Sequence, residues 1–450
     1  MTLGSIPHLA VVVAAVFLVT SKGVASPVTS VWLGGAGVWS DPSKWLAGSG
    51  IPNEGYQVLV QNTEDPSRVT VDVVTPALNN LAIASLGHVA IDGGLTAGNI
   101  QSFGGLVVNS GGTLNIGADG FVQDGAFAAT TVMQGAVVVD SGTWSQGAGS
   151  LAVGGTLATP LFHVTGGSVT AGSGGWLAVG SGGYTQDGAV STRVESGGRL
   201  TVDGAYGQGN GSTQVDGLLS ASLFHVTGGT VGVGSGGTVL VGGDGYIQGN
   251  ATTTLSRDGL LVVSGGDFSQ EIGTTTHLDG TLTANNLNNS GLVDGSGSLR
   301  GNLVNRGTLS PGDGQPGART PGIFSVSGDY AQSGFLDIDI AGEGANDLLR
   351  IGGTASFDGT LDIALDAGFV PSDGARFMIA TYTASAGTFY NVFGTGLPEG
   401  DRWLAIYDPD ALYVQFVSVT NSVPEASSGV LLVLGLLASG LASRRGLRRG

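Results

Sequence analysis

The sequence predicts an all-β fold, a right-handed parallel β-helix (β-solenoid), with a signal helix at the N-terminus and a single transmembrane helix at the C-terminus. Three observations predict the body. First, Leu161-Phe162-His163-Val164-Thr165-Gly166-Gly167 recurs as Leu223-Phe224-His225-Val226-Thr227-Gly228-Gly229, a period of about 62. Second, an aromatic-x-Gln triplet recurs at Phe121–Gln123, Trp144–Gln146, Tyr184–Gln186, Tyr206–Gln208, Tyr246–Gln248, Phe268–Gln270 and Tyr330–Gln332. From Gln123 through Gln146, Gln186, Gln208 and Gln248 to Gln270, the interval alternates between a short one and one nearly twice as long. A coil of about 20–22 residues, counted once or twice, accounts for these intervals and places roughly three coils in the full period. Third, short apolar runs such as Leu177-Ala178-Val179 and Val239-Leu240-Val241 end in Gly-Gly or Ser-Gly pairs. Such pairs supply the positive φ of sharp corners. One coil cannot bury its apolar side chains alone; stacked ~4.8 Å apart, coils share a Val/Leu/Ile interior.

Taken in order, residues 1–25 read as a signal peptide. Leu9–Val19 is an apolar core, and Gly23-Val24-Ala25 offers small residues for cleavage between Ala25 and Ser26. Export through the Sec translocon is expected. Residues 26–80 open with Trp32-Leu33-Gly34-Gly35-Ala36-Gly37-Val38-Trp39, followed by Asp41, Trp45 and Pro52-Asn53. This stretch resembles the Trp/Gly-rich opening of autotransporter-type passenger proteins. Physically it reads as a cap, because a first coil exposes an unpaired edge. Residues 81–308 carry the repeats.

Residues 309–421 are β-rich. Gly307-Thr308-Leu309-Ser310-Pro311-Gly312, Pro321-Gly322 and Gly328-Asp329-Tyr330-Ala331-Gln332 resemble the segment near the end of such a passenger. No outer-membrane barrel is expected after it. Residues 422–450 hold Val423-Pro424-Glu425-Ala426, an uncharged, mostly apolar stretch Ser427–Ser443, and then Arg444, Arg445, Arg448 and Arg449. As a helix that stretch would be about 26 Å long, close to the hydrocarbon thickness of a bilayer. Arginines just beyond it stay on the cytoplasmic side.

This tail resembles the PEP-CTERM sorting signal of Gram-negative bacteria, with Ala426 where the family has proline. The resemblance implies that Val423, Pro424, Glu425 and Ala426 form the sorting motif, while the four arginines form the cytoplasmic basic anchor. It also implies recognition by exosortase, a membrane-embedded protease-transpeptidase, in bacteria that make exopolysaccharide. The expected location is a membrane-anchored precursor, then the cell surface or extracellular matrix.

Composition narrows the chemistry. The chain has no cysteine, which excludes disulfides and thiol catalysis. Of 34 acidic and 16 basic residues, only Glu425, Lys22 and the four terminal arginines lie in the two ends, leaving about −22 on the body. Nucleic-acid binding requires the opposite sign. The acids are scattered, mostly in Asp-Gly turns at Asp92, Asp119, Asp203, Asp216, Asp244, Asp258, Asp279 and Asp294.

Asp337 and Asp339 share a strand face by period two, as an ordinary half-solvated strand would also place them; Asp362 and Asp366 can do the same. His163 and His225 occupy equivalent repeat positions about three rungs, or ~14 Å, apart, too far to share a zinc. No Gly-x-Ser-x-Gly elbow occurs. No catalytic residue, metal ligand or cofactor is therefore expected. The expectation is a sorted structural or adhesive protein whose partners are exopolysaccharide or further copies of itself. The competing expectation is a secreted carbohydrate-active β-helix enzyme, a lyase or hydrolase.

Overall fold

The computed structural model describes residues 28–46, 50–61, 67–312, 320–366, 368–395, 397 and 399–418. The signal peptide with Ala25 and Ser26, the motif Val423, Pro424, Glu425 and Ala426, the apolar stretch and Arg444, Arg445, Arg448 and Arg449 all lie outside these residues. The chain is an all-β parallel solenoid of about 14 turns. Its one helical element among the described residues is the 3-10 turn Pro42–Lys44. No helix of the described residues is long and apolar enough to cross a membrane. The chain divides into two compact units: Met1–Val293 with Gly297–Val304, and Asp294–Ser296 with Asn305–Gly450.

In the first unit each coil supplies one long strand, or two short ones, and then a shorter strand on a second sheet. Thr156–Val164, Trp176–Gln186, Arg199–Gln208 and Leu218–Val226 stack in parallel register. Gly167–Ala171, Val190–Val194, Ser212–Val215 and Gly229–Val233 form the matching ladder on the other sheet. Register shifts at Thr159/Leu161, Val179/Tyr184 and Val202/Ala205 mark where each long strand bends. Phe162 pairs with Tyr184, Tyr184 with Tyr206 and Tyr206 with Phe224. The repeat that carries Phe162 onto Phe224 is thus three coils, and the third is the short one.

Alternation along these strands sends every second side chain inward. The first inward row is aliphatic: Leu157, Leu177, Leu200, Leu219, Val239, Leu261 and Leu282 are all buried. The second row holds the aromatics of the triplets together with Phe162 and Phe224. From Phe121 through Trp144, Phe162, Tyr184, Tyr206, Phe224 and Tyr246 to Phe268, each ring stacks near-parallel on the next, with centroids 3.8 to 6.0 Å apart. The third row is the triplet's glutamine.

Each buried glutamine must satisfy an amide without water. Gln208 does so by donating from Nε2 to the carbonyls of Gly228 at 3.0 Å and Thr230 at 3.2 Å on the next coil, while its Oε1 accepts from Thr213 Oγ1 at 2.6 Å. Gln123 with Thr130, Gln186 with Thr192 and Gln270 with Thr276 repeat the same side-chain pair. The longer interval between successive glutamines hides a coil in which Val164 or Val226 replaces the glutamine. In those coils Val169 and Val231 replace the threonine, so the polar pair is dropped as a pair.

Close stacking constrains the turns. At Gly167, φ is +83°, and a Cβ would lie 1.9 Å from the carbonyl oxygen of Gly149 on the preceding coil, so glycine alone fits.

The segment expected to cap the N-terminus holds an aromatic cluster. Trp45 meets Trp32 at 5.1 Å and Trp39 at 4.8 Å, both edge-on, and all three rings are buried. Trp45 Nε1 donates to the Trp39 carbonyl at 3.0 Å. Asp41 caps the 3-10 turn by accepting from the Ser43 backbone N–H. Parallel pairing already begins within this segment, Thr29–Val31 with Gln57–Leu59 and Ala36–Val38 with Arg68–Thr70.

In the second unit Phe335–Ile340 pairs in parallel with Thr360–Leu365, whose residues 360–364 pair in turn with Asn391–Thr395. The strand order then reverses. Arg376–Thr381 pairs antiparallel with Ala411–Val417, which pairs antiparallel with Arg402–Tyr407. Trp403 packs edge-on between Phe377 and Phe416 beneath this hairpin. An antiparallel hairpin laid on a parallel ladder ends its continuation, which is how edges are protected against further pairing.

Candidate functional site

Every residue assigned to sorting by the sequence lies outside the described residues, so a site on the body must be sought among its acids, histidines and exposed aromatics. Of the Asp-Gly residues, Asp92, Asp244, Asp258 and Asp279 are exposed in turns or bends, Asp216 is half-buried in a bend, and Asp119 and Asp203 are exposed but lie within the strands Thr113–Gln123 and Arg199–Gln208, against the turn reading. Asp294 departs from the turn reading: it is only 2% exposed, inside the strand Leu292–Gly295.

In the first unit, stacking would set like charges on successive rungs, and at these positions the sequence relieves this in two ways. Glycines occupy the positions beside Asp124 and Asp187: a Cβ at Gly147 would lie 3.1 Å from Asp124 Oδ1, and one at Gly209 2.4 Å from Asp187 Oδ1. Where Glu195 and Asp216 do fall on neighbouring rungs, Arg193 bridges them, with Nη2 2.7 Å from Asp216 and Nε 4.0 Å from Glu195.

His163 and His225 project from the outer face of the long-strand sheet, separated in register by Thr185 and Gly207. They stand three rungs apart, as the repeat predicts. Among the described residues no group of three or more His, Asp or Glu is arranged to hold a metal ion.

The densest carboxylate cluster belongs to the second unit. Asp337 is half-buried, and its register partner on the next coil is Asp362, about 4.8 Å away across the ladder. Asp339, expected on a half-solvated face, is only 5% exposed. Asp347, which the sequence did not single out, is fully buried. Its Oδ1 accepts from the Gly322 N–H at 2.8 Å and its Oδ2 from the Asp339 N–H at 2.8 Å, while its own N–H donates to the Asp339 carbonyl at 2.9 Å. Burial pushes the Asp347 carboxyl up to about 8, against the pull of those two N–H groups, and the charges of Asp339 and Asp337 raise it further. A neutral carboxyl with both oxygens engaged by backbone and no solvent access is a structural clamp, out of reach of a substrate. Asp362 keeps one carboxylate oxygen buried without a hydrogen-bond partner.

One tryptophan stands apart from the rest in its exposure. Of the six tryptophans, Trp32, Trp39, Trp45, Trp144 and Trp403 are 4% exposed or less, whereas Trp176 is 45% exposed. It stands on the outer face of the long-strand sheet, in register with Thr156 on the preceding coil and Arg199 on the next. Its indole Nε1 donates to Thr201 Oγ1 at 2.8 Å, which fixes the ring's position. The next outward residues on these rungs are small: Ala158, Ala178, Thr201 and Ser220. Exposure of one outer residue leaves no trace in composition or period.

No protein-family model matches this chain, and no curated protein matches it.

Proposed function

We propose that this chain is an exported structural or adhesive protein, sorted through its C-terminal tail and displayed in association with an exopolysaccharide matrix. The observation that carries this reading is the sequence of the tail, three elements in succession: Val423-Pro424-Glu425-Ala426, the apolar stretch Ser427–Ser443, and Arg444, Arg445, Arg448 and Arg449. Exosortase would be its processing partner and the Sec translocon its route. The solenoid body supports the reading because stacked coils expose long regular faces while burying their polar side chains in pairs. Its coils are read as right-handed, the hand that nearly all parallel crossovers take. Fractionation with mass spectrometry of the mature termini tests the proposal. The expected result is an N-terminus at Ser26, a C-terminus near the Pro424 region, and material in envelope and extracellular fractions. Intact chain in the cytoplasm would refute it.

A second reading has one observation in its favour. Asp337 and Asp362 bring two carboxylates together from adjacent coils, the arrangement a carbohydrate-active β-helix enzyme requires. On that reading Asp337→Asn abolishes polysaccharide cleavage by the purified protein. On the leading reading the purified protein cleaves none, and the substitution changes only local stability.

A further inference from the structure

We propose that Trp176 and its neighbours form a glycan subsite that takes a neutral pyranose, holding the body to an uncharged stretch of polysaccharide. The inference rests on the matrix reading above and names the surface that would serve it. The C–H faces of a pyranose ring are apolar and flat, its rim is hydroxylic, and an indole held at a polar surface meets both needs. Trp176 is the one tryptophan withheld from the interior, and the hydrogen bond from Nε1 to Thr201 Oγ1 holds its ring in place, so little rotamer freedom is lost on stacking. Arg199, in register beside it, is exposed and makes no ion pair among the described residues, so its guanidinium N–H groups are available to sugar hydroxyls.

The surroundings choose the ligand further. Ala158 and Ala178 keep the surface beside the ring low, the hydroxyls of Thr201 and Ser220 lie on the two following rungs about 4.8 Å apart, and that of Thr156 lies beside the ring on the preceding rung. That is a strip for an extended chain rather than a pocket for one small molecule. Charge selects against a polyanion. The body carries about −22, counted from the acidic and basic residues between its two ends, and one arginine does not reverse that field.

Because Trp176 is the sole exposed tryptophan, acrylamide quenching of the full-length chain reports on it directly. Soluble glucan, mannan and galactan are titrated, with a polyuronate as the anionic arm. At least one neutral glycan should shield the quenchable emission, and added salt should leave that shielding unchanged. Trp176→Ala should weaken retention on the same glycan in affinity electrophoresis at least fivefold. An unchanged thermal midpoint in that variant separates lost binding from lost fold. Equal binding by Trp176→Ala, shielding by the polyuronate alone, or shielding by no glycan overturns the subsite. If the subsite fails in these assays while cells export the chain and retain it in their matrix, the matrix reading stands without it. If the chain is cytoplasmic while neutral glycan still protects Trp176, the reverse holds.

Discussion

Truncating Tyr206 to alanine is expected to destabilise the first unit by about 4–5 kcal/mol, the upper range for removing a large buried aromatic. The ring lies between Tyr184 at 4.8 Å and Phe224 at 4.5 Å, nearly parallel to both, with no solvent access. Its neighbours sit on fixed strands one rung away on each side, so they cannot close the gap, and the cavity remains. The hydroxyl adds a smaller share. It is 2.6 Å from Thr213 Oγ1, which also donates to Gln208 Oε1, so Tyr206→Phe should cost only about 1 kcal/mol. Chemical denaturation together with native-state hydrogen exchange checks both values. Because a solenoid is held by nearest-neighbour contacts, the loss should appear first as faster exchange in the coils holding Tyr184 and Phe224. A cost for alanine no greater than that for phenylalanine would show that the stack contributes little beyond filling space.

Raising the pH from 5 to 8 should weaken the second unit by about 3–4 kcal/mol through Asp347 alone, taking ~1.4 kcal/mol for each pH unit over which the folded chain holds an extra proton. The sign follows from the direction of the shift. Folding raises this carboxyl from 3.8 to about 8, so between those limits the native state binds the proton and the unfolded state does not. The contribution is full below about pH 4, declines as pH rises, and is gone above about 8. The other acids of the unit titrate as well, so the measurement is a comparison. Asp347→Asn cannot ionise and should flatten this part of the profile. It also carries a constant penalty, because its amide NH2 must face one of the N–H donors of Gly322 or Asp339. Parallel pH profiles for parent and variant would remove Asp347 as the cause.

The coil length and the three-coil period were legible in the sequence because each is a repetition, and repetition is read within one chain. The Trp-rich opening, expected to be a cap, holds a buried aromatic cluster beside strands that already pair in parallel. Other features depend on contacts that no period encodes. Asp339 looked half-solvated by alternation, but Asp347 folds back to clamp its backbone and buries it. The glutamine's partner was within reach and was missed: threonines 130, 192, 213 and 276 follow closely on glutamines 123, 186, 208 and 270, and valine follows where valine replaces glutamine. The pattern breaks at Gln146, where Leu151 holds the threonine position and the glutamine Oε1 is left buried without a hydrogen-bond partner. The antiparallel closing hairpin was not legible, because Arg376–Thr381 and Ala411–Val417 alternate as any strand does, whichever direction their neighbour runs.

The equivalence of Phe162 and Phe224 has a genetic consequence. Crossing-over between the coding stretches for Leu161–Gly167 and Leu223–Gly229 would delete or duplicate one whole repeat without shifting the frame. In the shortened product Trp144 would be followed by Phe224 and then Tyr246, a succession of the same type that Trp144, Phe162 and Tyr184 already display. Strains could therefore differ in allele length by whole multiples of this segment, each variant inheriting an intact interior.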